Sequence, residues 1–145
     1  MKIINEFRLT ILSKSINESF CRTAVSSFAS QLDPTIEELA DLKTAVSEAV
    51  TNSIVHGYME HEGKIYITAQ ILDNSAIRIR IRDCGIGIDS VEQAMQPLFT
   101  TGGSDRAGLG FTVMQSFCDK VNVKSKSGLG TTVTLTKKIA GKSQW

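Results

Sequence analysis

The sequence of 145 residues is short of the features that mark several specialised classes of protein. It has no apolar run near the ~20 residues that a membrane-spanning helix needs. Glu6 and Arg8 interrupt the N-terminal segment where a signal peptide would be apolar. Neither sign of charge dominates, because 16 basic and 15 acidic side chains leave a formal charge of +1. We therefore expect a cytoplasmic protein that binds neither membranes nor, through bulk charge, nucleic acids.

Cysteine is scarce and scattered along the chain. Cys21, Cys84 and Cys118 are odd in number and form no CxxC pair or Cys/His cluster. This arrangement argues against a zinc site and against a disulfide framework, and it favours free thiols in a reducing compartment. The hydrophobic fraction of 41% supplies a core without either. We predict one domain over residues 1–145, with a loose tail from about residue 140.

The hydrophobic periodicity and the turn residues predict an α+β fold. The run of Asp73, Asn74 and Ser75 joins two strands into an antiparallel hairpin. We therefore expect helices stacked on one face of a mixed, mostly antiparallel sheet. The predicted strands are 3–12, 64–72, 76–83, about 120–126 and about 131–138, and the predicted helices are 15–32, 35–56, 91–95 and about 109–119.

The starts of the first two helices carry capping signals. Ser15 and Glu18 have the spacing of a capping box. The first helix is expected to place Phe20, Ala24, Phe28 and Leu32 on its apolar face. Thr35 is expected to cap the second helix.

Three segments carry residues suited to chemistry. On the second helix, Glu48, Asn52 and His56 are spaced four apart and so project from one face. A carboxylate, a carboxamide and an imidazole in a row suit the binding of a magnesium-phosphate group, because amide oxygens are ligands that Mg²⁺ accepts. A solvated polar helix face would show the same pattern.

The second segment is Asp83-Cys-Gly-Ile-Gly87, directly after a strand. An Asp at a strand end can direct its carboxylate into a pocket while glycines let the backbone pass close to a ligand. An ordinary turn has a similar composition.

The third segment, residues 100–110, is rich in glycine and runs into a helix. Its backbone N–H groups suit phosphates, and Arg106 adds a cationic fork. It contains neither a P-loop nor a dinucleotide-binding fingerprint. A mobile solvent loop is the alternative interpretation.

The order of these segments resembles the GHKL superfamily of ATPases and histidine kinases. An E-x-x-x-N helix, a D-x-G-x-G turn, a glycine-rich lid and a Gly-Thr-Thr strand start follow one another across nearly the whole chain. Within that superfamily, SEAVTNSIVHGY and QPLFTT resemble the small bacterial anti-sigma factors that are serine protein kinases. The resemblance implies a Bergerat-type ATP-binding sandwich.

The resemblance also implies roles for individual residues. Asn52 would be the Mg²⁺ ligand, Glu48 the general base, and Asp83 the acceptor for the adenine amino group of ATP or ADP. Further nucleotide contacts are implied for Gly85 and Gly87 in the pocket, Thr131 or Thr132 on the adenine side, Gly108, Gly110 and Arg106 at the phosphates, and Thr100 and Thr101 at the start of the lid.

The partners implied by the resemblance are a sporulation sigma factor of RNA polymerase and an anti-anti-sigma protein, the latter being the substrate. A homodimer formed through the N-terminal strand and helix is implied as well. We place Arg22 on the partner-binding face, although an ordinary solvated arginine is an equal alternative.

Other functions fit part of the pattern. An ATP-regulated sigma-binding module without kinase activity would not need Glu48 as a base. A histidine kinase is disfavoured because His56 and His61 lie within and just beyond the ATP helix, with no preceding phosphoacceptor helix. An ATPase motor is disfavoured because no transducer domain follows.

Overall fold

The computed structural model describes residues 2–59, 61–95 and 106–141, and within 106–109 it describes the backbone alone. The elements follow the predicted order, and their ends lie within a few residues of the predicted ones. The strands are β1 (Ile3–Leu12), β2 (Lys64–Leu72), β3 (Ala76–Asp83), β4 (Lys120–Lys126) and β5 (Gly130–Lys138), and the helices are α1 (Ile16–Ala29), α2 (Ile36–Asn52), α3 (Val91–Ala94) and α4 (Arg106–Phe117).

The five strands form one open sheet in the order β1-β2-β3-β5-β4. All four pairings among the described strands are antiparallel, so the expected α+β class with a mostly antiparallel sheet is confirmed. The hairpin turn ends at Ser75, which has a positive φ of 62°. β1 and β4 are the two edges.

Alternation along the strands separates the two faces of the sheet. On β3, Ile77, Ile79 and Ile81 have no exposed surface, and the arginines between them point to the opposite face. The isoleucine face packs against the helices, where the buried side chains of α2 include Leu42, Val46 and Val50. The helical layer therefore covers one face and leaves the arginine face uncovered.

The start of α2 is fixed by a reciprocal pair of hydrogen bonds. The Thr35 hydroxyl accepts from Glu38 N–H, and the Glu38 carboxylate accepts from Thr35 N–H, so the predicted Thr35 cap is a complete capping box. The same carboxylate accepts from the N–H groups of Ala140 and Gly141. Burial opposes ionisation of Glu38, but these donors outweigh it and hold its pKa below the usual value. The tail is thus anchored at its first two residues, and residues 142–145 lie outside the described part.

For α1, the predicted cap at Ser15 is wrong, and the predicted apolar face is right only in part: Phe28 and Leu32 are partly buried against the core as expected, but Phe20 is not. Ser15 has helical backbone angles and makes no capping hydrogen bond, while Glu18 accepts from the Ser47 hydroxyl of α2 at 2.6 Å. Phe20 is 55% exposed. The buried face of α1 lies one residue further along and consists of Cys21, Val25 and Ala29, whose small side chains let α1 lie close against α2.

α2 does not end at Asn52 but continues as a π-helical turn over Ser53–Gly57. Such turns shift the phase of the helix by one residue and are frequent at functional sites. Among the described residues, no helix combines the length and apolar character needed to cross a bilayer.

Candidate functional site

A cleft opens between the helical layer and the end of the sheet. It is bounded by α2 and its π turn, the loop after β3, the start of α4 and the start of β5. It is lined by both polar and apolar residues, which is the composition of a small-molecule site. The apolar walls are Ala49, Ile88, Phe111 and Val133.

Asp83 lies at the floor of one end of the cleft and is 3% exposed. Its Oδ2 accepts from the Ser53 hydroxyl at 2.8 Å, and its Oδ1 accepts from Gly85 N–H at 3.0 Å and Thr131 N–H at 3.3 Å. These donors fix the orientation of the carboxylate, and its remaining lone pair, on Oδ2, is available to a ligand. Asp83 is therefore one of the residues that line the cleft.

The two glycines after Asp83 are required by close backbone approaches. A Cβ at Gly85 would lie 2.1 Å from the Gly57 carbonyl oxygen. Gly87 has a φ of +78°, and a Cβ there would lie 2.2 Å from the Lys126 carbonyl oxygen. The D-x-G-x-G segment is therefore pressed between the π turn and the β4–β5 connection, which keeps Asp83 in place.

Of the two candidate threonines, the structure places Thr131 at the cleft. Thr131 is buried beside Asp83, and its hydroxyl lies 2.8 Å from that of Ser125. Ser125 in turn accepts from Ile88 N–H at 2.7 Å. Thr132 points to the opposite face of the sheet, because successive residues of a strand alternate.

At the end of the cleft toward α4, Asn52 lines the cleft and Glu48 lies beside it, outside the lining residues. A Cβ added at Gly110 would lie 3.0 Å from Asn52 Nδ2 and 3.2 Å from Glu48 Oε2. Both side chains therefore converge on one point of the helix α4 backbone. Only glycine leaves the two side chains undisturbed at this contact, and it places Glu48 and Asn52 side by side, as their spacing on one helix face predicts.

The carboxamide of Asn52 has an unused polar atom. Its Nδ2 is buried and has no hydrogen-bond partner in the described part of the chain. Burying an unpaired amide group costs about 1–3 kcal/mol, so such a group marks a place where a ligand completes the site. The unpaired Nδ2 is a donor and suits an oxygen acceptor such as a phosphate, whereas a Mg²⁺ ion would be held by the amide oxygen and a carboxylate and would take the rest of its shell from phosphates and water. Within residues 2–59, 61–95 and 106–141, no three His, Cys, Asp or Glu side chains form a metal-binding cluster.

The remaining predicted site residues are placed in part. His56 lines the cleft from the π turn. Thr100 and Thr101 lie outside the described residues. Arg106 and Gly108 lie in the first turn of α4, but their contacts lie outside the description. The predicted helix start near 109 is therefore three residues late, and the end of the glycine-rich segment is already helical.

Sequence reasoning missed Ser53 and Tyr58. Ser53 continues the buried stripe of α2, seven residues after Val46, and a polar residue at a core position is a signal that could have revealed it. The Tyr58 hydroxyl donates to the Lys64 carbonyl and accepts from Cys84 N–H at 2.8 Å. Burial raises the pKa of Tyr58, so it stays a neutral donor between β2 and the Asp83 loop.

Outside the cleft, the three cysteines are free, as predicted. Burial raises the pKa of the Cys21 thiol to about 12 and that of Cys118 to about 11, so both stay protonated at neutral pH. Cys84 is exposed. Arg22 lies on the outer side of α1, where it contacts Glu18 at 3.7 Å.

Comparison with known proteins gives the family of the chain. Residues 16–137 match the family described as the histidine kinase-like ATPase domain. Over 140 residues the chain is 59% identical to the anti-sigma F factor of Caldanaerobacter subterraneus subsp. tengcongensis, which covers 96% of this chain and 97% of that protein. The anti-sigma F factor of Bacillus subtilis is 50% identical over 138 residues, which is 94% of each chain.

Solved structures agree on the fold. The structure of the RsbU and RsbW domains of a Mycobacterium tuberculosis protein superimposes with a TM-score of 0.67 at 18% identity, over 93% of this chain and 32% of that one. A blue-light activated histidine kinase domain from Erythrobacter litoralis gives a TM-score of 0.58 at 16% identity, over 87% of this chain and 61% of that chain. The resemblance inferred from the ordered motifs is therefore confirmed. The chain belongs to the anti-sigma F factor family, built on a histidine kinase-like ATPase domain.

Proposed function

We propose that the chain is an anti-sigma factor that holds a sporulation sigma factor, sigma F, inactive, and that it is also a serine protein kinase. Its substrate is the anti-anti-sigma antagonist of the same system, and the phosphoryl donor is Mg·ATP. ATP or ADP binding accords with the family of ATPase domains to which the chain belongs. The observation that carries the kinase proposal is the convergence of Glu48 and Asn52 on Gly110, beside the pocket that holds Asp83.

Residues at different positions along the cleft would contact different parts of the nucleotide. Asp83 accepts a hydrogen bond from the adenine amino group at the closed end, where Thr131 and Ser53 hold its carboxylate. Asn52 would hold Mg²⁺ through its amide oxygen, and the cation would supply charge neutralisation at the phosphates. Arg106 would contact the γ-phosphate, while Gly108, Gly110, Thr100 and Thr101 would border the phosphates.

Glu48 acts as the general base. The substrate serine oxygen bonds to the γ-phosphorus, the bond from that phosphorus to the bridging oxygen breaks, and ADP leaves. Glu48 accepts the serine proton through its carboxylate. Its position one helical turn before Asn52 keeps the base next to the phosphate end of the cleft.

The partner surfaces are proposed on the N-terminal side of the molecule. β1 is an edge strand, and Ile4 and Phe20 nearby are 63% and 55% exposed. An apolar surface beside an unpaired strand edge suits a homodimer contact. Arg22, half-buried on α1, would contact the sigma factor, and the antagonist would compete for the same face.

The test uses Glu48→Gln, incubated with Mg·ATP and the anti-anti-sigma protein. We expect serine phosphorylation to fall by about 100-fold or more, with nucleotide affinity retained, because the variant loses the base but keeps the shape of the side chain. Glu37→Gln is the matched control, since Glu37 is an exposed acid on the same helix. Full kinase activity in Glu48→Gln would refute the assigned role.

The same assay separates the alternatives. A binding module without kinase activity would hold the sigma factor in an ATP-dependent manner while leaving the antagonist unmodified. Phosphate on a histidine would be lost in acid, whereas phosphoserine would survive. For the metal, Asn52→Asp should weaken Mg·ATP binding, and unchanged affinity would count against Asn52 as the ligand.

A further inference from the structure

The uncovered face of the sheet concentrates positive charge, although the chain as a whole carries a formal charge of only +1. β3 is a central strand and presents three arginines on this face, and β4 presents three lysines. None of the outward positions of β3, β4 or β5 is acidic. The basic side chains are Arg78, Arg80, Arg82, Lys120, Lys124 and Lys126.

The register of the strands arranges these charges as two rows. Arg78, Thr136 and Lys120 lie side by side across β3, β5 and β4. The same order of cation, threonine and cation recurs four residues further along β3. The arginines along β3 and the lysines along β4 thus form two rows about 10 Å apart, which is two strand spacings, because β5 lies between these strands. Between them lies an open trough whose floor carries Thr132, Thr134 and Thr136, which we call the basic trough.

The basic side chains of the trough form no ion pair among the described residues, and one acid on the same face, Glu6 of β1, is linked to Arg78 only through Gln70, which donates to Glu6. The three ion pairs found among the described residues all lie on other elements. Arg78 donates to Gln70, a neutral side chain, and Arg82 lies 4.3 Å above the ring of Tyr66. Lysines on an edge strand commonly prevent strand pairing, but this does not account for the arginines, because β3 is paired on both sides.

We propose that the basic trough docks an acidic segment of a protein partner. Arginine guanidinium groups bind carboxylates through paired hydrogen bonds, and threonine hydroxyls can bond to the remaining oxygens. Single-stranded nucleic acid binds through bases stacked on aromatic rings, but the ring of Tyr66 is covered by Arg82. A membrane surface is bound through apolar side chains as well as cations, and the trough is lined by polar residues.

The test measures binding of a fluorescent peptide of alternating Glu and Ser, about eight residues long to match the strands. The variant combines Arg80→Gln, Lys120→Gln and Lys124→Gln, all at exposed positions. The control combines Lys2→Gln, Lys14→Gln and Lys43→Gln, which removes the same charge elsewhere. We expect affinity at low salt to fall at least about tenfold in the trough variant and to change less than about twofold in the control.

Each other outcome would overturn the proposal. Equal losses in the two variants would mean that only net charge attracts the peptide. Tighter binding of an oligo-thymidine strand or of phosphatidylserine vesicles than of the peptide would assign the face to a different partner, and no binding by the unmodified chain would remove it. Nucleotide affinity of the trough variant should stay unchanged, because the trough lies on the face opposite the cleft. Failure here is therefore distinguishable from failure of the kinase proposal.

Discussion

The two ends of the cleft differ in how completely hydrogen bonds within the protein satisfy their polar side chains. At the closed end, the buried Asp83 carboxylate accepts three hydrogen bonds from the protein itself. At the other end, Asn52 has a buried Nδ2 with no partner in the described residues, and it touches Gly110 together with Glu48. Ser53 and Asn52 are neighbours in sequence but belong to opposite ends.

The difference teaches which end is already organised for its ligand. A carboxylate held by several donors keeps its geometry when the ligand arrives, which suits recognition of a fixed group such as an amino group. An unpaired amide costs free energy in the free protein and gains it back when a ligand binds. After their proposed roles, we call the Asp83 end the recognition end and the Asn52 end the reactive end; the first is held by hydrogen bonds within the protein, whereas the second leaves a buried donor that a ligand can satisfy.

The largest effect is expected from Asp83→Asn at the recognition end. Replacing one carboxylate oxygen by an NH₂ group removes an acceptor for the adenine amino group, so ATP affinity should fall about 100-fold or more. The new NH₂ can instead donate to the carbonyl of guanine, so GTP affinity should fall less than ATP affinity or rise. The ratio of ATP to GTP affinity should therefore be lower than in the unmodified protein. Calorimetric titration with both nucleotides measures the two quantities.

Asp89→Asn is the control for that change, because Asp89 is an exposed acid in the same loop. It should leave both affinities within about twofold of the original protein, since it removes a charge that is exposed to solvent. An Asp83→Asn variant with an unaltered ATP-to-GTP ratio would show that the closed end does not recognise the base.

A smaller effect is expected from Gly110→Ala at the reactive end. The added methyl group would lie 3.0 Å from Asn52 Nδ2 and 3.2 Å from Glu48 Oε2, so both side chains must move by a few tenths of an ångström. Phosphoryl transfer should fall about tenfold or more because the base and the metal ligand are displaced. Thermal stability should be retained or rise, since alanine favours the helix by about 1 kcal/mol over glycine.

Gln115→Ala serves as the comparison on α4, because Gln115 is exposed and the change also favours the helix. Its kinase activity should match that of the unmodified chain. If Gly110→Ala retained full activity while remaining folded, the contact between α4 and the two side chains would have no part in catalysis.

The sequence predicted the fold and the reactive end better than the supporting contacts. The alternation of Ile77, Ile79 and Ile81 and the spacing of Glu48 and Asn52 are local patterns, so the chain order alone reveals them. The buried face of α1 was predicted one residue early because apolar periodicity leaves the helix phase free by a residue, and packing against α2 decides it.

The hydrogen bonds to Asp83 could not be predicted from local sequence, because their donors come from distant parts of the chain. Thr131 lies 48 residues from Asp83, and only the pairing of β3 with β5 brings their backbones together. Tyr58 reaches the Asp83 loop through the π turn, which no composition rule announces. Capping at Ser15 failed because Glu18 has a tertiary partner, the Ser47 hydroxyl. Local rules fail where a long-range contact competes for the same side chain.

The smallest effects are the most discriminating, because they should have opposite signs at neighbouring residues. Without nucleotide, Ser53→Ala removes a donor from the buried Asp83 carboxylate and should lower the free energy of unfolding by about 1–3 kcal/mol. Asn52→Ala removes an unpaired buried amide and should leave that free energy unchanged or raise it by up to about 1 kcal/mol. Urea denaturation of the two variants measures both.

The stabilisation produced by adding ATP and Mg²⁺ should rank the two variants in the opposite order. Ser53→Ala should keep the part of this stabilisation that depends on magnesium, and Asn52→Ala should lose it. Two variants destabilised alike in the free protein would mean that Asn52 is already satisfied, and that the two ends of the cleft do not differ in the way described.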